Sequence, residues 1–329
     1  MEKYLLKIDK LIMTGFIDQT EIFTDFEFSD YFSDFEYIYN ELFKIFEFEA
    51  NKYSLINFYL IYKNAFNNNA YAGFNKNTYI IKFTSGLVVN VVNRTLKNDE
   101  LIEYNKRHEK FSKYLDIPVE RLIYQFCFLF TFYHEFAHLL QFTKSDKFYE
   151  LDEESVLNTY EKEKHYQEID ADTFSSIQLA RHISQYCRQH FSDSMLEISV
   201  EYFTQIICSN LYYYISNFEH SESEIYYYER KHPHPFIRIV NILNTINSYL
   251  KIDINLVDKN VKPKNQLLPI FSEIEALKLN QVYSNYNFIN YKFELPANIE
   301  KIVEYLNNIK SYKSQNFNSA LEIYNKNII

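Results

Sequence analysis

Glycine and tryptophan are the residues that this sequence most clearly lacks. The 329-residue chain has Gly 3 and Trp 0, where average glycine usage of about 7% would give roughly 23 glycines. Loops that cradle phosphate groups depend on several closely spaced glycines, and neither a P-loop nor a dinucleotide-binding glycine pattern occurs. The sequence therefore gives no support for nucleotide binding.

Cysteine is also scarce. The three cysteines, Cys127, Cys187 and Cys208, are odd in number and far apart, and no Cys-x-x-Cys pair occurs. This pattern predicts neither a disulfide framework nor a thiolate zinc site. Reduced thiols are typical of the cytoplasm, which is the location we expect.

The chain has a deficit of positive charge and no long apolar run. Lys+Arg 34 against Asp+Glu 44 gives a net charge of -10. Because nucleic-acid binding needs clustered positive charge, we expect no nucleic-acid partner. Residues 122–133, the most apolar stretch, include Gln125 and are too short to span a bilayer. Charges interrupt residues 1–16, unlike the apolar centre of a signal peptide. We expect a soluble chain without a transmembrane segment.

The remaining composition is that of a folded globular protein. Hydrophobic residues make up 47% of the chain and charged residues 24%, both near ordinary values. Helical periodicity dominates. It predicts helices over 118–142, 165–190, 194–217, 235–250, 270–280 and 299–325, and two or three more before residue 65.

One β-rich segment interrupts the helices. The β-branched runs 78–83 and 87–92 flank Ser85-Gly86 and predict a hairpin. We therefore predict an α+β, mostly helical fold with a small β-sheet packed on a central helix. Its regions are an N-terminal helical region, a core and a C-terminal helical region, over 1–65, 66–250 and 251–329.

The segment His134-Glu135-Phe136-Ala137-His138 lies within the helix predicted over 118–142. Residues four apart share a helix face, so both imidazoles can bind one zinc ion with Glu135 beside them. Zinc lowers the pKa of its bound water toward about 7, and a neighbouring carboxylate can then act as a general base. The competing interpretation is two core histidines on one helix face.

A catalytic zinc site needs a third protein ligand. A metzincin would have a histidine six residues beyond the second ligand, where this chain has Lys144, so that class is excluded. Glu168 and Asp172 lie four residues apart in a predicted helix. This spacing suits Glu168 as the ligand and Asp172 as a carboxylate that accepts the ring N–H of His134 or His138. The competing interpretation is an acidic helix start favoured by the macrodipole.

A third motif is His232-Pro233-His234-Pro235, followed by Arg238. The prolines impose an extended approach to the next helix and present a histidine rigidly. An imidazole near the metal could donate a hydrogen bond to a developing oxyanion, which makes His232 a candidate. Arg238 could pair with a buried carboxylate or lie in solvent. The competing interpretation is a turn with a helix cap.

Two weaker candidates lie near these motifs. His165 is a less favoured alternative ligand, because it lies in a charged run that is typical of a solvated surface. One of the tyrosines 226–228 could donate to an oxyanion, although core packing is more typical for tyrosine.

Together the three motifs resemble the gluzincin metallopeptidases, in particular the group of CAAX prenyl proteases and the heat-shock protease HtpX. That group has His-Glu-x-x-His, then Glu-x-Glu/Asp-Ala-Asp, then His-Pro followed by Arg-Ile. This sequence has each motif in that order, with His232, Pro233, Arg238 and Ile239 at the family's spacing. Those proteases are membrane-embedded. The soluble phage-exclusion peptidases of the Lit type and the repressor-cleaving ImmA type are more similar in size.

The resemblance implies a zincin-like core and one zinc ion (Zn²⁺) per chain. It implies these roles: His134, His138 and Glu168 bind the metal, Glu135 is the general base, Asp172 and Arg238 support the ligands, and His232 stabilises the transition state. We therefore expect a zinc-dependent endopeptidase that hydrolyses protein or peptide substrates, with an edge strand at 78–83 or 87–92 that pairs with the substrate backbone. A catalytically inactive binding or sensor module and a zinc hydrolase of small amides stay open as alternatives.

Overall fold

The structure is a computed structural model that describes residues 1–26, 29–75, 77–143, 149–150, 160–218, 224–257, 268–283, 287–312 and 318–327. It confirms an α+β, mostly helical fold. The helices are α1 (Glu2–Met13), α2 (Phe32–Lys52), α3 (Ser85–Arg94), α4 (Asp99–Asn105), α5 (Glu109–Ser112), α6 (Val119–Phe142), α7 (Lys162–His190), α8 (Asp193–Ile215), α9 (Pro235–Val257), α10 (Leu268–Tyr283), α11 (Asn287–Lys310) and α12 (Ala320–Lys326).

Most long helices match the sequence predictions closely. The exception is the single helix predicted over 299–325, which is wrong: α11 begins at Asn287 and ends at Lys310, and α12 is a separate helix. Ser319 starts α12, because its side chain accepts a hydrogen bond from the backbone N–H of Glu322. Residues 143–164 are charged and without a clean period, which predicts a loop or a loosely held excursion, and most of this segment lies outside the described residues.

Four strands form one small sheet in the order β1-β3-β2-β4. They are β1 (Phe58–Lys63), β2 (Ala70–Asn75), β3 (Thr78–Thr84) and β4 (Tyr149–Glu150). β1 runs parallel to β3, whereas β2 is antiparallel to both β3 and β4. β1 lies inside the region that the sequence predicted as helical. The predicted substrate strand at 78–83 is β3, which is central and already paired on both sides, so that prediction is wrong.

The prediction of a second hairpin strand over residues 87–92 is also wrong, since these residues belong to α3. Thr84 starts this helix: its Oγ1 accepts a hydrogen bond from the Leu87 N–H at 3.1 Å, which is the pattern of an N-cap. The apolar residues after it follow a helical face, with Leu87, Val88, Val91 and Val92 all buried. Capping and helical burial therefore outweigh the β-propensity of this valine-rich run.

The chain divides into two compact units. One contains residues 1–93, 131–157 and 314–329. In this unit Phe46 of α2 contacts Phe58 of β1 and also Phe132 and Phe136 of α6, with ring centroids 4.9–5.9 Å apart. Aromatic packing of α2 therefore links the sheet to the half of α6 that carries the histidine pair.

The other unit contains residues 94–130 and 158–313, and its described residues form helices and connecting segments but no strand. α7 packs against α8, α9 and α11, and α10 packs against α8. All three cysteines are buried free thiols. Among the described residues, no helix combines the length and the apolar character needed to cross a membrane.

Candidate metal centre

The two histidines of the first motif lie one turn apart on the same face of α6. Their Nε2 atoms are 3.2 Å apart, and both side chains are buried. Glu135 follows His134 directly on the helix and is also buried, at 7% exposure. The continuous helix therefore brings the Nε2 atoms of His134 and His138 close together, as the four-residue spacing predicts.

Gln141, which is not among the candidates predicted from the sequence, orients one of these rings. Nδ1 of His138 lies 2.8 Å from Oε1 of Gln141, and the amide is buried. A carbonyl oxygen only accepts hydrogen bonds, so Nδ1 carries the proton and Nε2 of His138 presents its lone pair. This is the tautomer that a metal ligand needs. The spacing of three residues on one helix is the signal that could have found Gln141.

The predicted third ligand, Glu168, lies on α7 and belongs to the same group. One nitrogen of each of His134 and His138 and a carboxylate oxygen of Glu168 all lie within 4.8 Å of one another. All three side chains are buried. The structure therefore brings together the three residues that the sequence proposed as ligands.

The donor set fits a metal ion. Ligand atoms held about 2.0–2.1 Å from a tetrahedral zinc lie roughly 3.3–3.4 Å apart, close to the 3.2 Å between the two histidine nitrogens. Two imidazoles and one carboxylate leave a coordination position open, as catalytic sites require. His134, His138 and Glu168 could therefore bind a metal ion, whose identity the geometry leaves open.

The buried carboxylate of Asp172 forms an ion pair with Arg238, which is 14% exposed, beside the carboxylate of the candidate ligand Glu168. The guanidinium donates from Nε to Oδ2 and from Nη2 to Oδ1 of Asp172, both at 2.9 Å. Its Nη2 also lies 3.5 Å from Oε2 of Glu168. Arg238 therefore pairs with buried carboxylates, one of the two alternatives that the sequence left open. The role predicted for Asp172 beside His134 or His138 stays a prediction, and Gln141 holds the Nδ1 of His138.

The His-Pro motif separates into two histidines with different environments. Nδ1 of His232 lies 3.7 Å from Oε1 of Glu168, beside the candidate metal ligands. His234 is the helix cap: its Nδ1 accepts a hydrogen bond from the Phe236 N–H at 3.1 Å, at the start of α9. Burial lowers the pKa of His234 to about 4, which keeps this acceptor neutral. The helix-cap interpretation thus applies to His234.

The weaker candidates lie outside the metal group. His165 is not one of its members, because both ring nitrogens already have partners: Nδ1 meets the hydroxyl of Tyr305, and Nε2 donates to the carbonyl of Arg230 at 2.8 Å. Tyr226 and Tyr227 are buried. Of the three neighbouring tyrosines, Tyr228 is exposed, at 44%.

The charge of the Glu168 carboxylate also acts on the ammonium of Lys164. Burial lowers the pKa of the Lys164 ammonium, the nearby charge of Glu168 opposes this shift, and Lys231 adds to it. The positive charges of Lys164 and Arg238 therefore both lie near the Glu168 carboxylate.

Comparisons of the chain with protein-family models, with curated proteins and with solved structures find no match.

Proposed function

We propose that this protein is a zinc-dependent endopeptidase. The observation that carries the proposal is the buried group of His134, His138 and Glu168, whose ligand atoms lie within 4.8 Å of one another, with Glu135 adjacent to His134. Metal-assisted peptide hydrolysis uses two imidazoles and one carboxylate as metal ligands, with a general base beside them.

Zinc is the proposed metal because of the ligand chemistry. Imidazole nitrogen suits zinc well, whereas calcium and magnesium prefer all-oxygen sites. A zinc ion bound there would polarise a peptide carbonyl and make water acidic enough to attack it. The chain's residues supply the rest of the chemistry. His138 is held by Gln141 in the tautomer that offers Nε2, and Arg238 lies beside the Glu168 carboxylate.

Glu135 is the proposed general base. Its carboxylate would take a proton from the attacking water and pass it to the leaving amine. Burial at 7% exposure removes competing solvent and strengthens such proton transfer. His232 is proposed to donate to the oxyanion, since its ring lies beside the carboxylate of Glu168.

The metal part of the proposal is tested by elemental analysis of protein purified without added zinc. We expect about one zinc per chain in the wild type and a large loss in Glu168→Ala, since two protein ligands bind zinc far more weakly than three. Glu163→Ala is the matched control, because it removes a carboxylate from the same helix but outside the ligand group. Equal zinc content in Glu168→Ala and Glu163→Ala would show that the proposed site is wrong.

The catalytic part is tested by incubating the wild type and Glu135→Gln with a proteome-derived peptide library and mapping new N-termini by mass spectrometry. Cleavage by the wild type alone, with equal zinc content in both proteins, is the expected result. Zinc binding without any difference between the two proteins would instead indicate the inactive binding module.

A further inference from the structure

The imidazole of His165 joins three segments of the chain. The ring is fully buried, at 0% exposure. Its Nε2 donates to the carbonyl of Arg230 at 2.8 Å, so its Nδ1 is free of a proton and accepts from the hydroxyl of Tyr305. Burial lowers the pKa of His165 and raises that of Tyr305, which keeps both groups neutral and this pattern intact.

The segment that His165 holds is the one that carries His232. Arg230 lies two residues before His232, whose Nδ1 is 3.7 Å from Oε1 of Glu168. His165 and Glu168 are three residues apart on α7, so they are neighbours on the helix surface. The same turn of α7 therefore carries the candidate metal ligand and the anchor of the loop that faces it.

One face of α11 lies against the same loop. Tyr305 contacts the rings of Tyr227 and Tyr228, with centroids 5.7 and 5.5 Å apart. Asn298 accepts a hydrogen bond from the Tyr227 hydroxyl at 3.3 Å, and the Lys301 ammonium lies 4.1 Å from the Tyr227 ring. These α11 residues follow the three- and four-residue spacing of a single helix face.

We propose that Tyr305 of α11, acting through His165, is a positioning residue that fixes the loop of residues 224–234 and so holds His232 beside Glu168. The C-terminal region would then be part of the active-site framework. The catalytic meaning of this arrangement rests on the proposed peptidase function, whereas the anchoring of the loop is a property of the fold and is tested separately.

The first test measures amide hydrogen exchange in the loop and requires no enzymatic activity. Tyr305→Phe removes the hydroxyl and keeps the ring, and we expect amide hydrogen exchange over residues 224–234 to rise about three- to tenfold, the effect of one lost hydrogen bond. Carbethoxylation of His232 by diethyl pyrocarbonate, followed by mass spectrometry, should rise as well. Tyr312→Phe is the matched control: Tyr312 contacts Tyr166 and Lys162 of α7 but not this loop. Equal exchange in the wild type, Tyr305→Phe and Tyr312→Phe would overturn the proposal.

The second test uses the peptide cleavage identified for the wild type. In Tyr305→Phe we expect kcat to fall about tenfold, because a misplaced catalytic group loses orientation, while KM and zinc content stay within about twofold. His165→Gln retains a donor for the Arg230 carbonyl and should lose less than His165→Leu. Faster loop exchange with an unchanged kcat would overturn the positioning role. If the wild type cleaves nothing, the peptidase proposal fails, and the exchange measurement still decides whether Tyr305 anchors the loop.

Discussion

Arg238 and Asp172 meet through two parallel hydrogen bonds of 2.9 Å, with Asp172 at 0% exposure. The guanidinium also lies 3.5 Å from Glu168, so one cation balances two carboxylates on successive turns of α7. Buried carboxylates are costly to ionise without such a partner. The arginine therefore offsets the cost of placing the carboxylates of Asp172 and Glu168 in a buried position.

Removal of this arginine should be strongly destabilising. Arg238→Met leaves both buried carboxylates without their guanidinium, and we expect the free energy of unfolding to fall by about 3–5 kcal/mol. Arg238→Lys keeps the charge but loses the planar fork, so a smaller loss of about 1.5–3 kcal/mol is expected. Urea unfolding of the two variants measures both changes in the free energy of unfolding.

The control for this prediction is a second arginine–aspartate pair between the same two helices, α7 and α9. Arg188 and Asp253 are 2.9 Å apart, but their side chains are 31% and 28% exposed. Solvent screens this pair, so Arg188→Met should cost less than about 1 kcal/mol. A similar cost for Arg188→Met and Arg238→Met would contradict the assignment of a buried charge network.

Gln141 should control metal affinity through the tautomer of His138. Gln141→Leu removes the acceptor of the Nδ1–H, so Nε2 is no longer held ready for the metal, and zinc affinity should fall about 10–100-fold. Gln141→Glu retains an acceptor and should bind zinc at least as tightly as the wild type. Competition with a chromophoric chelator measures both affinities.

An independent measurement of the same relationship uses metal-free protein labelled with ¹⁵N-histidine. The wild type should show His138 with its proton on Nδ1, and Gln141→Leu should show a mixture of tautomers. Gln125→Leu, in an earlier turn of α6, is the control and should leave both the tautomer and the affinity unchanged. Loss of affinity in Gln141→Leu with an unaltered tautomer would refute the mechanism.

The sequence was sufficient wherever the chemistry follows from spacing along one helix. His134 and His138 share a face because they are four residues apart on α6, and Glu168 and Asp172 lie four apart on α7 for the same reason. Gln141 has comparable spacing from His138, but a neutral amide carries no charge pattern that marks it as a ligand partner. The spacing alone makes Gln141 one of several possible neighbours of His138, and the hydrogen bond to Nδ1 identifies it.

The sequence failed where distant segments decide the structure. The contacts of His165 with Arg230 and Tyr305 join residues far apart in the chain, and no local pattern predicts them. The strand β1 was missed because its aromatic residues continue the composition of the preceding helix. Its identity depends on pairing with β3, as Phe58 opposite Tyr79 illustrates.

His108 should make the stability of the protein depend on pH. The ring is buried; its Nε2 accepts from the Nε of Arg107 at 3.3 Å, and its Nδ1 meets the hydroxyl of Tyr202. Burial, followed by the charges of Arg107 and Lys278, lowers the pKa of His108 from 6.5 to about 4. The folded state therefore keeps this imidazole neutral where the unfolded chain would protonate it.

The sign of the effect follows from the proton balance. Between pH 6.5 and 4 the unfolded chain binds a proton at His108 that the folded protein does not, so stability falls as the pH falls through this window. His108→Gln should reduce the loss between pH 6.5 and 5 by about 1–2 kcal/mol. Urea unfolding at several pH values measures this loss of unfolding free energy. If the unfolding free energy of the wild type and of His108→Gln changed equally with pH, His108 would not be the source of the pH dependence.

Gly86 should be needed for stability at the junction between β3 and α3, because only glycine leaves room for the backbone of a neighbouring loop. A Cβ on Gly86 would lie 2.2 Å from the carbonyl oxygen of Phe66, 2.4 Å from its carbonyl carbon and 2.7 Å from the carbonyl oxygen of Asn67. These are backbone atoms, so the loop itself would have to move. We expect Gly86→Ala to lower the free energy of unfolding by about 1–3 kcal/mol, the usual cost of overpacking.

Gly73 provides the contrast, because a Cβ there meets nothing within 4 Å and its backbone lies in the regular strand β2. Gly73→Ala should be neutral or should stabilise the protein by up to about 1 kcal/mol, since alanine restricts the unfolded chain. Thermal and urea unfolding of the two variants compare the same chemical change at two backbone positions. If Gly86→Ala were as stable as Gly73→Ala, the close approach of the Phe66 backbone would not constrain the start of α3, and the valine-rich run would owe its helical structure to Thr84 and side-chain burial alone.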